Sequence, residues 1–152
     1  MKFLLSFLLP LLSLIPSLTA AAMPYVFSRL DASDGLSDNQ VQHILQLPDG
    51  RMVFTTRGNI NLYDGMRFHY IHRNDSDVCP LPHYKGAYHV YVGPDDRLWV
   101  KDYQKMWCLD LRRERYLQRP ADVFREMGLT DTVTDLFVAG QSLWLVTGKG
   151  LY

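Results

Sequence analysis

Residues 41–71, VQHILQLPDGRMVFTTRGNINLYDGMRFHYI, decide the fold because their pattern returns further along the chain. Residues 87–117, AYHVYVGPDDRLWVKDYQKMWCLDLRRERYL, align with them without a gap, so that Asp49 falls on Asp95. A shorter third copy, VTDLFVAGQSLWLVTGKGLY, fills residues 133–152 and places Trp144 on Trp99. A period of about 40 to 50 residues is typical of proteins in which each repeat is one supersecondary unit.

Each copy consists of short apolar stretches joined by turn residues. In the first copy the predicted strands cover residues 41–47, 51–56, 60–63 and 66–71, with turns at 48–50, 57–59 and 64–65. Four strands at this period favour the blades of a β-propeller, because solenoids of similar period are usually helical. Only residues 121–127 are predicted to be helical, after Pro120 and before Gly128. The predicted fold class is all-β, with two complete four-stranded antiparallel blades and part of a third, an incomplete propeller.

The first 22 residues are predicted to be a secretory signal peptide. Lys2 precedes an apolar stretch over residues 3–15, and the small residues Ala20-Ala21-Ala22 place the cleavage site before Met23. A retained membrane anchor is the alternative, but the apolar run is shorter than the roughly 20 residues that cross a bilayer. The predicted organisation is a signal peptide at 1–22, a lead-in at 23–40, blade 1 and linker at 41–86, blade 2 with a short helical linker at 87–132, and partial blade 3 at 133–152.

Charge and cysteine content restrict the partners and the compartment. The chain carries 16 basic and 16 acidic side chains, so it gives no electrostatic reason to expect binding of nucleic acid. Cys79 and Cys108 would mature in an oxidising compartment, where a disulfide can persist. The sequence leaves both alternatives open, a Cys79–Cys108 bridge or two separate thiols.

The first copy and its lead-in also carry a series of separated signature residues. In chain order they are Asp34, Gly35, Leu36, Asn39, Val41, Asp49, Gly50, Gly58, Tyr63, Asp64, Gly65, Phe68 and Tyr70. Their order and spacing resemble the two-component regulator propeller repeat, which begins with a DGLS-x-N-x-V pattern and continues with a G-[LI]-x-x-[YF]-D-G stretch. In the second copy Gln104-Lys105-Met106 replaces the Gly-Leu of that family, which predicts a looser turn there.

This resemblance implies a function in signalling. Members of the family use tandem periplasmic propellers to bind an oligosaccharide and to control, through a membrane helix, a cytoplasmic histidine kinase whose phosphorelay regulates transcription. The expected partners are therefore an oligosaccharide and the remainder of the propeller and kinase chain, the parent lies in the inner membrane, and no cofactor is expected. Two alternatives remain: an exported propeller-type scaffold and a fragment of a carbohydrate-active propeller enzyme.

The repeats are too few to close a propeller ring. Rings have typically four to eight blades, and blades of about 45 residues therefore require at least about 180 residues. Residues 23–152 fall short of that length, so we expect the natural sequence to continue beyond Tyr152. Without such a continuation, the chain is expected either to associate with copies of itself, for example as a homodimer, to complete a ring, or to be a degraded remnant.

Few side chains are candidates for binding or chemistry. Trp99 and Trp144 occupy equivalent repeat positions, which predicts packing between blades, whereas Trp107 is offset and is the candidate ligand-binding residue. His69 and His72, with Asp75, have the residue types of a zinc site, but their spacing on a strand points them to opposite faces, which favours a solvated or hydrogen-bonded pair. No nucleophile, base and acid can be grouped from the sequence, so no catalytic or metal-binding residue is predicted.

Overall fold

The computed structural model of the protein describes residues 25–57 and 59–152. This part of the chain forms three antiparallel sheets, and none of them closes on itself. The all-β prediction is confirmed. The predicted signal peptide and Gly58 lie outside the described residues. Within the described ranges, no helix has both the length and the apolar character needed to cross a membrane.

Sheet 1 is a meander of four consecutive strands, as the repeat predicts. The strands are β1 (His43–Gln46), β2 (Met52–Thr56), β3 (Asn59–Tyr63) and β4 (Phe68–Ile71). The last strand begins two residues later than predicted because the Asp64 carboxylate accepts hydrogen bonds from the backbone N–H groups of Met66 and Arg67. These two residues therefore belong to the turn, in which Gly65 has a φ of 99°.

Sheet 2 contains the four strands of the second repeat and one strand that the sequence did not predict. The repeat strands are β6 (His89–Val92), β7 (Arg97–Asp102), β8 (Lys105–Asp110) and β9 (Arg115–Tyr116). The linker supplies β5 (Cys79–Pro80), which pairs with β8 at Met106 and Lys105. The predicted boundary between the linker of blade 1 and the start of blade 2, at residues 86 and 87, therefore separates β5 from the sheet to which it belongs.

The hairpin between β7 and β8 is tighter than predicted. Asp102 pairs with Lys105, which leaves a two-residue turn, and Gln104 takes a φ of 58° without being glycine. Two backbone hydrogen bonds from the linker stabilise this turn. The Gln104 N–H donates to the Tyr84 carbonyl at 2.9 Å, and the Gln104 carbonyl accepts from the Leu81 N–H at 2.8 Å. Contacts distant in sequence thus replace the glycine that the family pattern has at this turn.

A short helix leads from sheet 2 into sheet 3. Helix α1 (Pro120–Glu126) begins one residue before the predicted start, and Gly128 beyond its end has a φ of 87°. Sheet 3 consists of β10 (Val133–Ala139), β11 (Ser142–Thr147) and β12 (Gly150–Leu151) in chain order. The third repeat is therefore a three-stranded meander in the described part of the chain.

Two apolar clusters hold the three sheets together. The first lies between sheets 1 and 2 and includes Val53, Ile60, Leu62, Leu98, Val100, Trp107 and Leu109. The second joins sheet 2 to α1 and sheet 3 and includes Trp99, Met106, Cys108, Phe124, Leu136 and Leu145. Sheet 2 thus packs one face against sheet 1 and the other against α1 and sheet 3.

Equivalent repeat positions differ in burial in a regular way. Val53 on sheet 1 and Trp99 on sheet 2 are 0% and 1% exposed, because each faces the sheet that follows. Trp144, at the same position on sheet 3, is 37% exposed and stacks only on Phe137, with ring centroids 6.1 Å apart. The prediction of a core position is confirmed for Trp99 and wrong for Trp144, because no described sheet covers that face of sheet 3.

On the other face of each sheet, which points toward the preceding sheet, the exposed residue is in the first repeat and the buried one is in the third. Leu136 on β10 faces sheet 2 and is fully buried, whereas the equivalent Ile44 on β1 is 58% exposed. The lead-in covers part of this face of sheet 1: Leu36 is buried, and the Ser37 N–H donates to Asn61 Oδ1 at 2.9 Å. Sheet 1 and sheet 3 therefore each keep one partly uncovered apolar face.

The signature residues serve turns and local packing in the structure. Gly35 and Gly50 have φ values of 105° and 91°, and the Asn39 side chain accepts a hydrogen bond from the Ala32 N–H at 2.7 Å. Asp49 accepts hydrogen bonds from the backbone and side chain of Arg51. Further signature residues form an aromatic group or brace a turn; they are Tyr63, Phe68 and Tyr70.

Candidate functional site

Trp107, the ligand candidate from the sequence, lies on β8 and faces sheet 1. Its side chain is 3% exposed, and its indole Nε1–H has no hydrogen-bond partner among the described residues. A buried donor without a partner carries a desolvation cost of about 1–3 kcal/mol. This residue is therefore part of the core and at the same time carries an unused polar group.

Three further buried polar atoms have no partner; two of them belong to residues beside the Trp107 ring, and the third belongs to Tyr116 of the same apolar cluster. We call the four residues the donor cluster: Arg73, Tyr88, Trp107 and Tyr116, with the unpartnered atoms Arg73 Nη1, Tyr88 Oη, Trp107 Nε1 and Tyr116 Oη. These are the only buried side-chain nitrogen or oxygen atoms without a partner in residues 25–57 and 59–152. Because buried polar groups are normally hydrogen-bonded, their grouping at one place marks it out in the fold.

The elements of sheets 1 and 2 bring the donor cluster together. Arg73 follows β4, and its guanidinium carbon lies 4.1 Å from the centroid of the Trp107 ring, a cation–π contact. Tyr88 precedes β6, and its ring centroid is 5.9 Å from that of Trp107. Tyr116 on β9 pairs with Leu109, which is on the same face of β8 as Trp107. The cluster thus sits where the end of the first repeat meets the outer part of the second.

Burial keeps both tyrosine hydroxyl groups protonated. It raises the pKa of Tyr88 to about 12 and also raises the pKa of Tyr116, and in both cases the positive charge of Arg73 opposes the shift. The Thr55 side chain lies near the Tyr88 hydroxyl and also opposes its shift, but the two groups do not reach hydrogen-bond geometry. All four members can therefore donate a hydrogen bond at neutral pH.

A groove between the outer strands β4 and β9 adjoins the donor cluster. Its volume is about 390 Å³, within the range of small-molecule sites. Tyr116 is part of its wall, and the two neighbours of Arg73 in sequence, His72 and Asn74, also line it. Of the four members of the donor cluster, Tyr116 is the one that lines the groove.

The acidic groups of this groove already have partners. Glu114 forms an ion pair with Arg51 at 2.7 Å and contacts His69 Nδ1. Asp77 is buried and accepts a hydrogen bond from the Asn74 N–H at 2.8 Å. In contrast, Arg73 and Arg115 form no ion pair with any described residue. The charge left without a partner at the groove is positive.

The histidines do not form a metal site with their neighbours. His69 contacts Glu114, whereas His72 Nδ1 lies 3.0 Å from the Tyr70 hydroxyl. Asp75 belongs to a 3₁₀ turn, and in the described ranges no group of three or more His, Cys, Asp or Glu residues could hold a metal ion. Each of the two histidines thus has a hydrogen-bonding neighbour in the structure.

Cys79 and Cys108 are both free thiols in the structure. Cys79 on β5 pairs with Met106, so Cys108 is its diagonal neighbour across the strands rather than its partner. Diagonal neighbours lie roughly 7–8 Å apart, which exceeds the usual Cα separation of a disulfide. The β5–β8 register thus favours the second of the two alternatives left open by the sequence.

Sequence reasoning identified one member of the donor cluster and missed three. Arg73 lies in the linker, outside the repeats, and Tyr88 is equivalent to Gln42, which gives no signal for a buried aromatic residue. Tyr116 is marked in the sequence as the repeat equivalent of the signature residue Tyr70. The Tyr70 hydroxyl is hydrogen-bonded to Asn59 and His72, however, whereas the Tyr116 hydroxyl has no partner. The repeat position alone therefore does not explain why Tyr116 is buried with an unused hydroxyl.

Comparison with known proteins adds no relative. No protein-family model matches the chain, and no curated protein matches its sequence. The resemblance to the two-component regulator propeller repeat therefore rests on the motifs of residues 34–70 and on the repeats themselves.

Proposed function

We propose that this chain is the N-terminal part of the periplasmic ligand-sensing propeller of a hybrid two-component sensor histidine kinase. The observation that supports this proposal best is the packing of the three repeats. Each repeat forms an antiparallel meander, and equivalent residues such as Val53 and Trp99 are buried against the next sheet. Radial stacking of such meanders is the architecture of a propeller.

The uncovered faces support the same proposal. Ile44 on sheet 1 and Trp144 on sheet 3 occupy positions that are buried at the internal junctions but exposed at the two outer faces. Further blades of the same kind, supplied by the remainder of a longer chain, would cover both faces. A homodimer is the second source of such blades, since its interface would use the same two faces.

In this proposal the propeller binds an oligosaccharide, and the parent protein in the inner membrane passes the signal through a phosphorelay to transcription. The chain itself contributes binding and no catalysis. A carbohydrate-active enzyme and an exported scaffold are the competing functions, and they differ from a sensor in what happens to a bound saccharide.

The experiment is an oligosaccharide array probed with the purified protein, followed by chromatography of each bound saccharide after prolonged incubation. A sensor binds a saccharide saturably and leaves it intact. Release of new reducing ends would contradict the proposal in favour of an enzyme. Binding of no saccharide, with retention of another exported protein, would contradict it in favour of a scaffold.

A further inference from the structure

We infer that the donor cluster binds a carboxylate group of a saccharide ligand. This inference rests on the proposed function for the saccharide, but the carboxylate is argued from the site alone. Two of the four unpartnered groups, the Arg73 guanidinium and the Trp107 indole N–H, are donors that cannot accept a hydrogen bond. The two tyrosine hydroxyl groups can also accept, but neither is within hydrogen-bond reach of these two donors, which are left without an acceptor.

The number of donors favours a carboxylate over water. An ionised carboxylate offers about four acceptor sites on two oxygen atoms, which equals the number of unpartnered atoms in the cluster. One water molecule has two lone pairs and brings two donors of its own, so it would leave part of the cluster unpaired. The guanidinium also matches a carboxylate in charge and in planar geometry.

The surrounding charges agree with an anionic ligand. Arg73 and Arg115 have no ionic partner in the described part of the chain, whereas the Glu114 and Asp77 carboxylates are engaged by Arg51 and by the backbone of Asn74. A carboxylate at the cluster would neutralise Arg73, which is otherwise a half-buried cation with only an aromatic ring beneath it. Unpaired buried charge is costly, so this pairing stabilises the complex.

The groove sets the size of the rest of the ligand. Its volume of about 390 Å³ accommodates a sugar ring, and Tyr116 forms the wall that it shares with the donor cluster. A uronic acid unit combines such a ring with a carboxylate. It would place the ring in the groove and direct the carboxylate past Tyr116 towards Arg73 and Trp107.

The test is a titration of the ¹⁵N-labelled protein followed by the indole N–H signals of its three tryptophans. The Trp107→Phe variant assigns the signal of Trp107 by its disappearance. The probes are sodium D-glucuronate, D-glucose as the sugar without the carboxylate, and sodium acetate as the carboxylate without the sugar. We expect glucuronate to shift the Trp107 signal saturably and to bind at least about tenfold more tightly than glucose, since hydrogen bonds to charged groups are worth more than a factor of ten.

Three variants distinguish binding at the donor cluster from a general effect of positive charge on the surface. Arg73→Gln and Tyr116→Phe should each weaken glucuronate binding about tenfold or more. Arg112→Gln removes an equal charge at an exposed position that pairs with Asp96, and it should leave the affinity unchanged. Tyr116→Phe should also unfold at the same or a higher temperature than the parent, because it deletes a buried hydroxyl that has no partner.

Each outcome has a defined meaning. The inference is overturned if no probe shifts the Trp107 signal saturably, if glucose binds as tightly as glucuronate, or if Arg73→Gln binds like the parent protein. Acetate binding as tight as that of glucuronate would support the carboxylate site and contradict the saccharide ligand of the proposed function. Binding of glucuronate above both other probes would support the inference and the proposed function together.

Discussion

Burial of ionisable side chains gives this protein a predictable response to alkaline pH. Burial raises the pKa of the Cys108 thiol from 9.0 and raises that of Tyr88 from 10.0 to about 12. The unfolded chain releases these protons at the ordinary pKa values, whereas the folded chain keeps them. Since the unfolded state then binds fewer protons than the native state, the free energy of unfolding falls as pH rises.

We therefore predict a level free energy of unfolding between about pH 5 and pH 9 and a progressive decrease above pH 9, measured by urea unfolding at a series of pH values. Cys108→Ala should make the decrease that begins at about pH 9 smaller without abolishing it, because burial also raises the pKa of the Cys79 thiol. Stability that stays level between pH 9 and pH 11 would show that neither Cys108 nor Tyr88 is buried as described.

The two cysteines give a second prediction at the level of single residues. Because Cys79 and Cys108 are free and Cys108 is fully buried, thiol titration of the native protein should modify Cys79 slowly and leave Cys108 unmodified. Unfolding in denaturant without reductant should release two reactive thiols. Finding none under those conditions, in protein prepared without reductant, would mean that a disulfide forms.

At the scale of elements, one buried amide contributes to the attachment of the lead-in to sheet 1. Asn61 on β3 is fully buried; its Oδ1 accepts from the Ser37 N–H, and its Nδ2 donates to the Phe54 carbonyl at 3.1 Å. Asn61→Ala leaves the Ser37 N–H without its acceptor and deletes the bond to the Phe54 carbonyl, so we predict a loss of about 2 kcal/mol in the free energy of unfolding.

The matched control is Asn59→Ala on the same strand. Asn59 accepts one exposed hydrogen bond, from the Tyr70 hydroxyl at 3.2 Å, so its replacement should cost less than about 1 kcal/mol by the same urea measurement. Equal losses for the two variants would contradict the role assigned to Asn61.

The elements also show what could and could not be predicted from sequence. The meander of sheet 1 was predictable because residues such as Asp64 and Gly65 impose their turn locally. Strand β5 was not, because two residues that include a proline carry no strand pattern, and their pairing depends on the distant β8. The donor cluster was predictable only at Trp107, since Arg73 belongs to the linker and the residue equivalent to Tyr88 in the first copy is Gln42.

At the scale of the whole molecule, equivalent tryptophans should differ in energetic importance. Trp99 is buried between sheets 2 and 3, where it stacks on Phe124 with ring centroids 5.3 Å apart, whereas Trp144 lies on an uncovered face. We predict that Trp99→Ala lowers the free energy of unfolding by about 3–5 kcal/mol and that Trp144→Ala costs less than about 1.5 kcal/mol.

Urea unfolding of the two variants at the same protein concentration checks this prediction. A cost for Trp144→Ala as large as that for Trp99→Ala would mean that another surface covers Trp144 in solution. The comparison thus reports directly on whether the outer face of sheet 3 is free.

The central claim of the proposed function is that further blades cover the exposed faces of sheets 1 and 3. The nucleotide sequence beyond the codon for Tyr152 tests this claim most directly. The account predicts further repeats of about 45 residues, with apolar residues at the positions equivalent to Leu136 and Trp144, followed by a membrane helix and a histidine kinase. A stop codon directly after Tyr152 would contradict the proposal that this chain is part of a sensor kinase.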